Sequence, residues 1–348
     1  YKYYICNAVV LQQRGTMAKV VTFGEIMLRL SPEGYYRFTQ ADRFEATYGG
    51  AEANVAVSLS NFGVDTAFVT KLPENLIGDA ALNAVRKFGV DTRFIKRGGG
   101  RLGIYFLEKG ASQRPSLVVY DRKSSAFSLS EDSDYNWDEI FNGAKWFHFT
   151  GITPALSDLM AGICLKAVRK AKEMGLTVSC DINYRKNLCS KEKAREVMTE
   201  LSKYIDICIA NEEDAADVFD IHADNSDIQS GVIDTNAYAQ VASKLCKKYG
   251  FKMTAITLRS SISASDNNWA ALISDGVNYE ISKSYKIHIV DRVGGGDSFG
   301  AGLIYSLLNG RDMKEAVEFA TAASCLKHSI EGDFNLVSIK GVNALMAG

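Results

Sequence analysis

No imbalance of charge marks this chain. Forty basic and 41 acidic residues leave a net charge of −1 over 348 positions, so nothing favours a polyanion or an anionic membrane as partner. Histidine is scarce. Four occur, each isolated, which reads as ordinary core or surface use rather than a ligand set. The seven cysteines are scattered, odd in number and without a Cys-x-x-Cys pair, so neither a disulfide framework nor a zinc site is indicated. Reduced thiols in a cytoplasmic protein are the expectation. No apolar run is long enough to span a bilayer; residues 4–11 are mildly apolar but short, and they lack a small-residue cleavage site. A Gly-Lys-Ser/Thr phosphate loop is missing, and no dinucleotide fingerprint opens the chain. The latter argues against a nicotinamide-dependent dehydrogenase.

What is present is a rhythm. Residues 1–16 do not begin with Met, and Met17 opens a strand-like run. The first sixteen residues therefore read as a leader outside the fold, with one domain over 17–348. From residue 19 onward, short continuous apolar runs alternate with stretches of helical spacing, several closed by glycine (Gly63, Gly89, Gly175, Gly250). That alternation predicts a doubly wound α/β fold, its sheet mainly parallel with helices on both faces. Two segments break the rhythm, near 31–48 and 97–127. They are rich in Tyr, Phe, Arg and Ser with strand-like alternation, and predict a small inserted antiparallel sheet. Such an insertion serves as a lid over the strand ends, as a pairing surface, or as both.

The most informative stretch is 291–302, Asp-Arg-Val-Gly-Gly-Gly-Asp-Ser-Phe-Gly-Ala-Gly. Residues 287–290 before it read as a strand end, and 299–308 after it as a buried helix. Three glycines at such a junction uncover backbone amides and permit φ > 0, while the helix start aims free N–H groups and a positive dipole end at the same spot. Gly294, Gly295 and Gly296 thus predict an anion cradle with Asp297 at its edge. A carboxylate fixed there can deprotonate a hydroxyl while a phosphoryl group is stabilised alongside. A tight turn would use the same glycines but leaves Asp297 unexplained. Earlier, Gly49 and Gly50 permit close approach to a sugar and Asn54 can bond its hydroxyls, although a plain turn feeding a helix has the same look. Asn211 to Asp214 follows a buried strand, where an N-cap with first-turn acids is equally common.

Together these motifs point to one family. Gly49-Gly50-Ala51-Glu52-Ala53-Asn54-Val55-Ala56 resembles the first signature of the ribokinase/PfkB-type carbohydrate kinases, and 291–297 resembles the second. Ala210-Asn211-Glu212-Glu213-Asp214 resembles their Asn-x-x-Glu element. The resemblance covers essentially 18–340 and implies a ribokinase-like fold with a β-sheet lid. It implies ATP and Mg²⁺ as cofactors, with Asn183, Asn211, Thr257, Arg259, Gly294 and Gly296 near the nucleotide and Asp214 reaching the metal through water. It implies Asp297 as catalytic base, assisted by Gly294, Gly295 and Gly296; separately, an exposed lid sheet invites pairing, so a homo-oligomer formed through the lid is expected.

Within that family, Tyr105, Tyr120-Asp121-Arg122, Gly151-Ile152-Thr153-Pro154-Ala155-Leu156 and Asp181-Ile182-Asn183-Tyr184-Arg185 look like the elements of 2-keto-3-deoxygluconate kinases. This implies an acid-sugar site built from Gly50, Asn54, Tyr105, Tyr120, Arg122, Ile152 and Arg185. Asp333, in a stretch that resembles that subfamily's late Gly-Asp element, is the implied partner of a sugar hydroxyl. The chemistry agrees, since a guanidinium binds a carboxylate by a planar fork. The implied reaction is ATP-dependent phosphorylation of the primary hydroxyl, giving the 6-phosphate. A fructokinase or other neutral-sugar kinase stays open, as does a sugar-binding regulator without turnover. Three departures stand out: Arg292 and Gly295 replace the usual Thr and Ala, Asp214 stands for a Glu, and Ser260-Ser261 replaces a Gly-rich nucleotide loop.

Overall fold

The computed structural model describes residues 19–222 and 235–348. The leader expected at 1–16 lies outside them, as does most of the Asp/Ser/Asn-rich stretch 220–236, whose composition reads as a surface excursion. The strands in chain order are β1 (Val20–Phe23), β2 (Met27–Ser31), β3 (Glu45–Gly49), β4 (Thr66–Val69), β5 (Lys71–Leu72), β6 (Lys96–Arg97), β7 (Ile104–Glu108), β8 (Leu117–Asp121), β9 (Trp146–Thr150), β10 (Thr177–Asp181), β11 (Ile207–Ala210), β12 (Met253–Ser261), β13 (Asp266–Ser274), β14 (Tyr279–Ile281) and β15 (Tyr285–His288).

The main sheet runs β14-β13-β12-β11-β10-β9-β1-β4, with β15 also paired to β13. Its six strands from β4 to β12 are parallel, and β13, β14 and β15 add an antiparallel margin. Every residue of β1, β4, β9 and β11 is buried, as strands covered on both faces must be. One face packs helices Asp158–Glu173, Lys191–Ser202, Glu212–Phe219 and Thr235–Tyr249. The other packs Ala51–Asn61, Gly295–Leu308 and Met313–Lys327. Gly63, Gly89, Gly175 and Gly250 all take φ between +76° and +82° where a helix stops, which is why glycine stands there.

The inserted sheet exists, but not as expected. Its order is β3-β2-β7-β8, and its central pair, β2 with β7, is parallel. It starts at Met27 rather than near 31, a 3₁₀ turn (Phe38–Gln40) interrupts its first segment, and it ends at Asp121 rather than 127. The reason lies in the connection. A parallel pair needs a long crossover, and residues 50–103, with helix Ala51–Asn61 and β4 inside them, supply it. At the tip of the lid, the Ala264 amide in the β12–β13 turn donates to the Ser112 carbonyl at 2.7 Å. The Ser112 amide donates to Ser265 Oγ at 3.0 Å, and Lys109 pairs with Glu331 nearby.

The C-terminal third also differs from expectation in detail. The strand before the glycines ends at His288, and the helix after them begins at Gly295 rather than Phe299. No nucleotide loop follows Arg259. Ser260 and Ser261 stay extended, paired with Asn268 and Asn267, and the chain turns back as a hairpin.

Candidate active site

A cavity of about 630 Å³ opens beyond the carboxyl ends of the parallel strands, between them and the lid. That is where an open α/β sheet offers loop backbone and helix N-termini to a ligand. The glycine run forms its floor. Gly294 caps helix Gly295–Leu308 with φ +81°, and a Cβ there would lie 2.1 Å from the Asp333 carbonyl. A Cβ on Gly295 would meet the His328 ring at 2.5 Å, whereas Gly296 lines the cavity with nothing within 4 Å.

The cradle therefore differs from three equivalent glycines. The Gly295 amide donates to the Arg292 carbonyl, so it is not offered to an anion. Among the described residues, the amides of Gly294, Gly296 and Asp297 have no hydrogen-bond partner. These three amides are the ones free to meet an anion, whereas Gly295 packs closely against His328.

Asp297 stands in the first turn of that helix. Its Oδ2 accepts a hydrogen bond from Asn54 Nδ2 at 2.7 Å, and Asn54 Oδ1 accepts from the Gly50 amide. Asn54, expected to bond a sugar hydroxyl, also uses its amide to aim the carboxylate. Burial, together with the charges of Glu52 and Asp333, pushes the Asp297 carboxyl up to about 7 despite the Asn54 bond. A general base poised near neutrality is suited to taking a proton from an alcohol.

Acids crowd this end. Glu52 is buried, and its Oε1 accepts from the Thr150 amide and from the hydroxyls of Thr150 and Thr153. Asp181, at the end of β10, lines the cavity; burial and the charges of Asp214 and Asp297 push its carboxyl well up. Neither was singled out from the sequence as a site residue, although both lie inside quoted motifs. Asp214, expected to reach a metal through water, lines the cavity with both carboxylate oxygens held by backbone amides. Its Oδ1 accepts from the Tyr184 amide and its Oδ2 from the Asn211 amide, while Asn211 Oδ1 accepts from the Asp214 amide. This is a capping box, and it commits the Asn211 side-chain oxygen as well. Among the described residues, no group of three or more potential metal-binding side chains occurs.

Cations divide into paired and unpaired. Arg122, at the end of the lid sheet, donates to Glu25 from Nε at 2.9 Å and again from Nη2. Arg185, Arg259 and Arg292 line the cavity, and among the described residues none of them forms an ion pair. Arg292 donates only to the Ala264 carbonyl. Unpaired guanidinium groups in a cleft await anions. Gly50, Tyr120 and Ile152 share the wall with Arg185, and Asn183, held at φ +43°, stands beside them. Thr257 shares the other end with Arg259. Trp269 also lines that end, its buried indole Nε1 without a partner.

Tyr105 and Asp333 line the cavity but are engaged with each other, the tyrosine hydroxyl donating to Asp333 Oδ2. Asp333 Oδ1 accepts from Arg29 Nη1 at 2.7 Å. The expected bond from Asp333 to a sugar hydroxyl would compete with this network. Arg29 gave no signal in the sequence.

The family model of pfkB family carbohydrate kinases matches residues 17–335. A solved structure of the 2-dehydro-3-deoxygluconokinase of Thermotoga maritima is similar at 52% identity and a TM-score of 0.92, covering 95% of this chain and 100% of that one. The 2-dehydro-3-deoxygalactonokinase of Haloferax volcanii is 30% identical over 331 residues, 95% of this chain and 97% of its own. The 2-dehydro-3-deoxygluconokinase of Bacillus subtilis is 28% identical over 317 residues, 90% and 91% respectively. An uncovered amide cradle, a buried carboxylate beside it and a β-sheet lid at one cavity agree with that match: the chain belongs to the pfkB family of carbohydrate kinases.

Proposed function

We propose that the protein transfers a phosphoryl group from ATP to the primary hydroxyl of 2-keto-3-deoxygluconate, giving the 6-phosphate. The observation that carries this reading is the conjunction, in one cavity, of Asp297 at the amide cradle with the unpaired guanidinium of Arg185. Two anion sites in one cleft suit a polyphosphate and a sugar carboxylate; a neutral hexose needs only one. The names of the Thermotoga and Bacillus relatives support the same substrate.

In this reading Asp297 Oδ takes the proton of the primary hydroxyl, and the freed oxygen forms a bond to the γ-phosphorus as the bond to the β-phosphate oxygen breaks. The amides of Gly294, Gly296 and Asp297 stabilise charge on the transferring group. Thr257, Arg259 and Arg292 face the nucleotide end. The lid limits access of water, which would otherwise accept the phosphoryl group. Among the described residues no all-protein metal cage occurs, and Mg²⁺ binds through substrate phosphates, waters and one or two carboxylates; Asp181 and Glu213, which line the cavity, could supply one. When bound, Mg²⁺ would neutralise phosphate charge.

The partners follow: an acid sugar, ATP and a second copy of the chain. Strand β8 is an unpaired edge of the lid, and its Leu117, Val118, Val119 and Tyr120 are 37–48% exposed. Such an edge invites another strand. The cytoplasm, where ATP and reduced thiols occur, is the proposed compartment. The six described cysteines are unpaired, and among the described residues no helix is long and apolar enough to cross a membrane.

A substrate panel tests the reading. ATP-coupled rates would be measured with 2-keto-3-deoxygluconate, its galactonate epimer, fructose and ribose, in the wild type and in Arg185→Ala. The acid sugars should show the higher kcat/KM, and Arg185→Ala should erase that preference by raising their KM. Fructose used as well as the acid sugars would install a fructokinase instead, and no ATP turnover with any sugar would leave a sugar-binding regulator.

A further inference from the structure

The lid carries a buried charge that the reaction as described does not use. Arg29 sits at the middle of β2, 2% exposed, opposite Tyr105 of β7 in the sheet register. Its guanidinium splits three ways: Nη2 donates to Asp291 Oδ2 at 2.6 Å, Nη1 to Asp333 Oδ1 at 2.7 Å and Nε to Ser31 Oγ at 2.9 Å. A second cation, the fully buried Lys327, donates to the carbonyls of Asp291 and Ile330. Burying one guanidinium against two carboxylates is costly unless the groups are well hydrogen-bonded, and here all three guanidinium nitrogens and all four carboxylate oxygens have a partner.

What the two carboxylates do makes the cluster more than ballast. Asp291 opens the glycine run: its Oδ1 accepts from the Val293 amide and its Oδ2 from the Gly332 amide. Asp333 bears on both glycine motifs. Its carbonyl lies where a Gly294 Cβ would be, and its carboxylate lies where a Gly49 Cβ would be. Both segments gripped by Arg29 therefore shape the turn that uncovers the Gly294 amide and starts the helix of Asp297. Arg29 itself belongs to the sheet that brings Tyr105 and Tyr120 to the sugar side.

We propose that Arg29 is a positioning residue which locks the lid sheet to the phosphate cradle, fixing the distance between the sugar's hydroxyl and the transferring phosphoryl group. Positioning of this kind is steep, since a displacement of about 1 Å can cost on the order of 10²-fold in rate. The proposal rests on the kinase reading, and both are tested in one assay.

Arg29→Lys keeps the charge but replaces the fork by a point donor unable to serve Asp291, Asp333 and Ser31 together. The measurements are kcat, KM for sugar and ATP, and ATP consumed per sugar phosphate formed. They would be made where near-ultraviolet dichroism shows a folded protein. The expected result is kcat down by about 30- to 100-fold, both KM values little changed, and ATP hydrolysis no longer matched one to one with sugar phosphorylation. Asp333→Asn, similar in volume, carries the same expectation if Arg29→Lys does not fold. A purely structural role would lower the melting temperature while leaving turnover per folded molecule and its coupling intact; that outcome overturns the proposal, as would the failure of both variants to fold. Absence of sugar phosphorylation by the wild type would strike the kinase reading instead.

Discussion

Asp297 is a carboxylate asked to act as a base in a place that resists its ionisation. Burial pushes it up to about 7, and only the ionised form accepts a proton. The kcat/KM of the free enzyme should therefore rise with pH, about tenfold per unit below pH 7, and level off above. A flat profile between about pH 5.5 and 8 would remove Asp297 from the role. The sign for stability is opposite. The folded chain holds this proton to higher pH than the unfolded chain, so the fold loses stability as pH rises from the ordinary carboxylate range through about 7. Asp297→Asn keeps the Asn54 contact in shape and should retain binding of both substrates by calorimetry while losing about 10²- to 10⁴-fold in kcat. At this scale the sequence singled out Asp297 but not its surroundings. Asp297 announces itself by standing after three glycines. Asn54, 243 positions away, and Arg29, 304 positions from Asp333, meet their partners only through the fold. No spacing rule links them.

At the scale of elements, the strand–helix alternation was readable because a parallel strand buried on both faces writes a continuous apolar run. The direction of β2 against β7 was not, because pairing sense depends on the connection between strands and not on the strands themselves. The cradle helix shows the limit most sharply. Three identical residues in a row carry three different duties, and only neighbours distant in sequence distinguish them. Gly295→Ala would press a methyl into the His328 ring, and a loss of about 1–3 kcal/mol in denaturant titration is expected. Gly296→Ala has open space around it and should leave stability near the wild-type value. Its methyl would intrude on the anion site and raise KM for ATP by about tenfold, on the order of 1.4 kcal/mol of binding. If the two variants behaved alike, the division of labour within the triplet would be wrong.

For the whole molecule, the proposed pairing through β8 makes a quantitative demand. Analytical ultracentrifugation of the wild type should show a dimer whose dissociation is promoted by Val119→Lys, since a lysine on an edge strand discourages strand addition. A wild type that sediments as a monomer at every concentration would leave β8 as a free edge. The expectation of a lid came from composition at 31–48 and 97–127, whereas the strands of the small sheet run within Met27–Gly49 and Ile104–Asp121. It did not foresee that the tip of the lid would cross to the β12–β13 turn, because that contact belongs to two loops with no pattern of their own.

That crossing has a kinetic meaning. Two hydrogen bonds at Ser112 contribute about 1 kcal/mol each, and the half-exposed Lys109–Glu331 pair adds little. With the Arg29 network holding the rest of the sheet, a tip latch worth about 2 kcal/mol would leave the tip alone detached in about 3% of molecules at any instant. Substrates would then enter through a minority population, at an observed rate scaled down by that fraction. The product must wait for the same rare opening, so escape, rather than bond-making, becomes the step to examine first when turnover is slow.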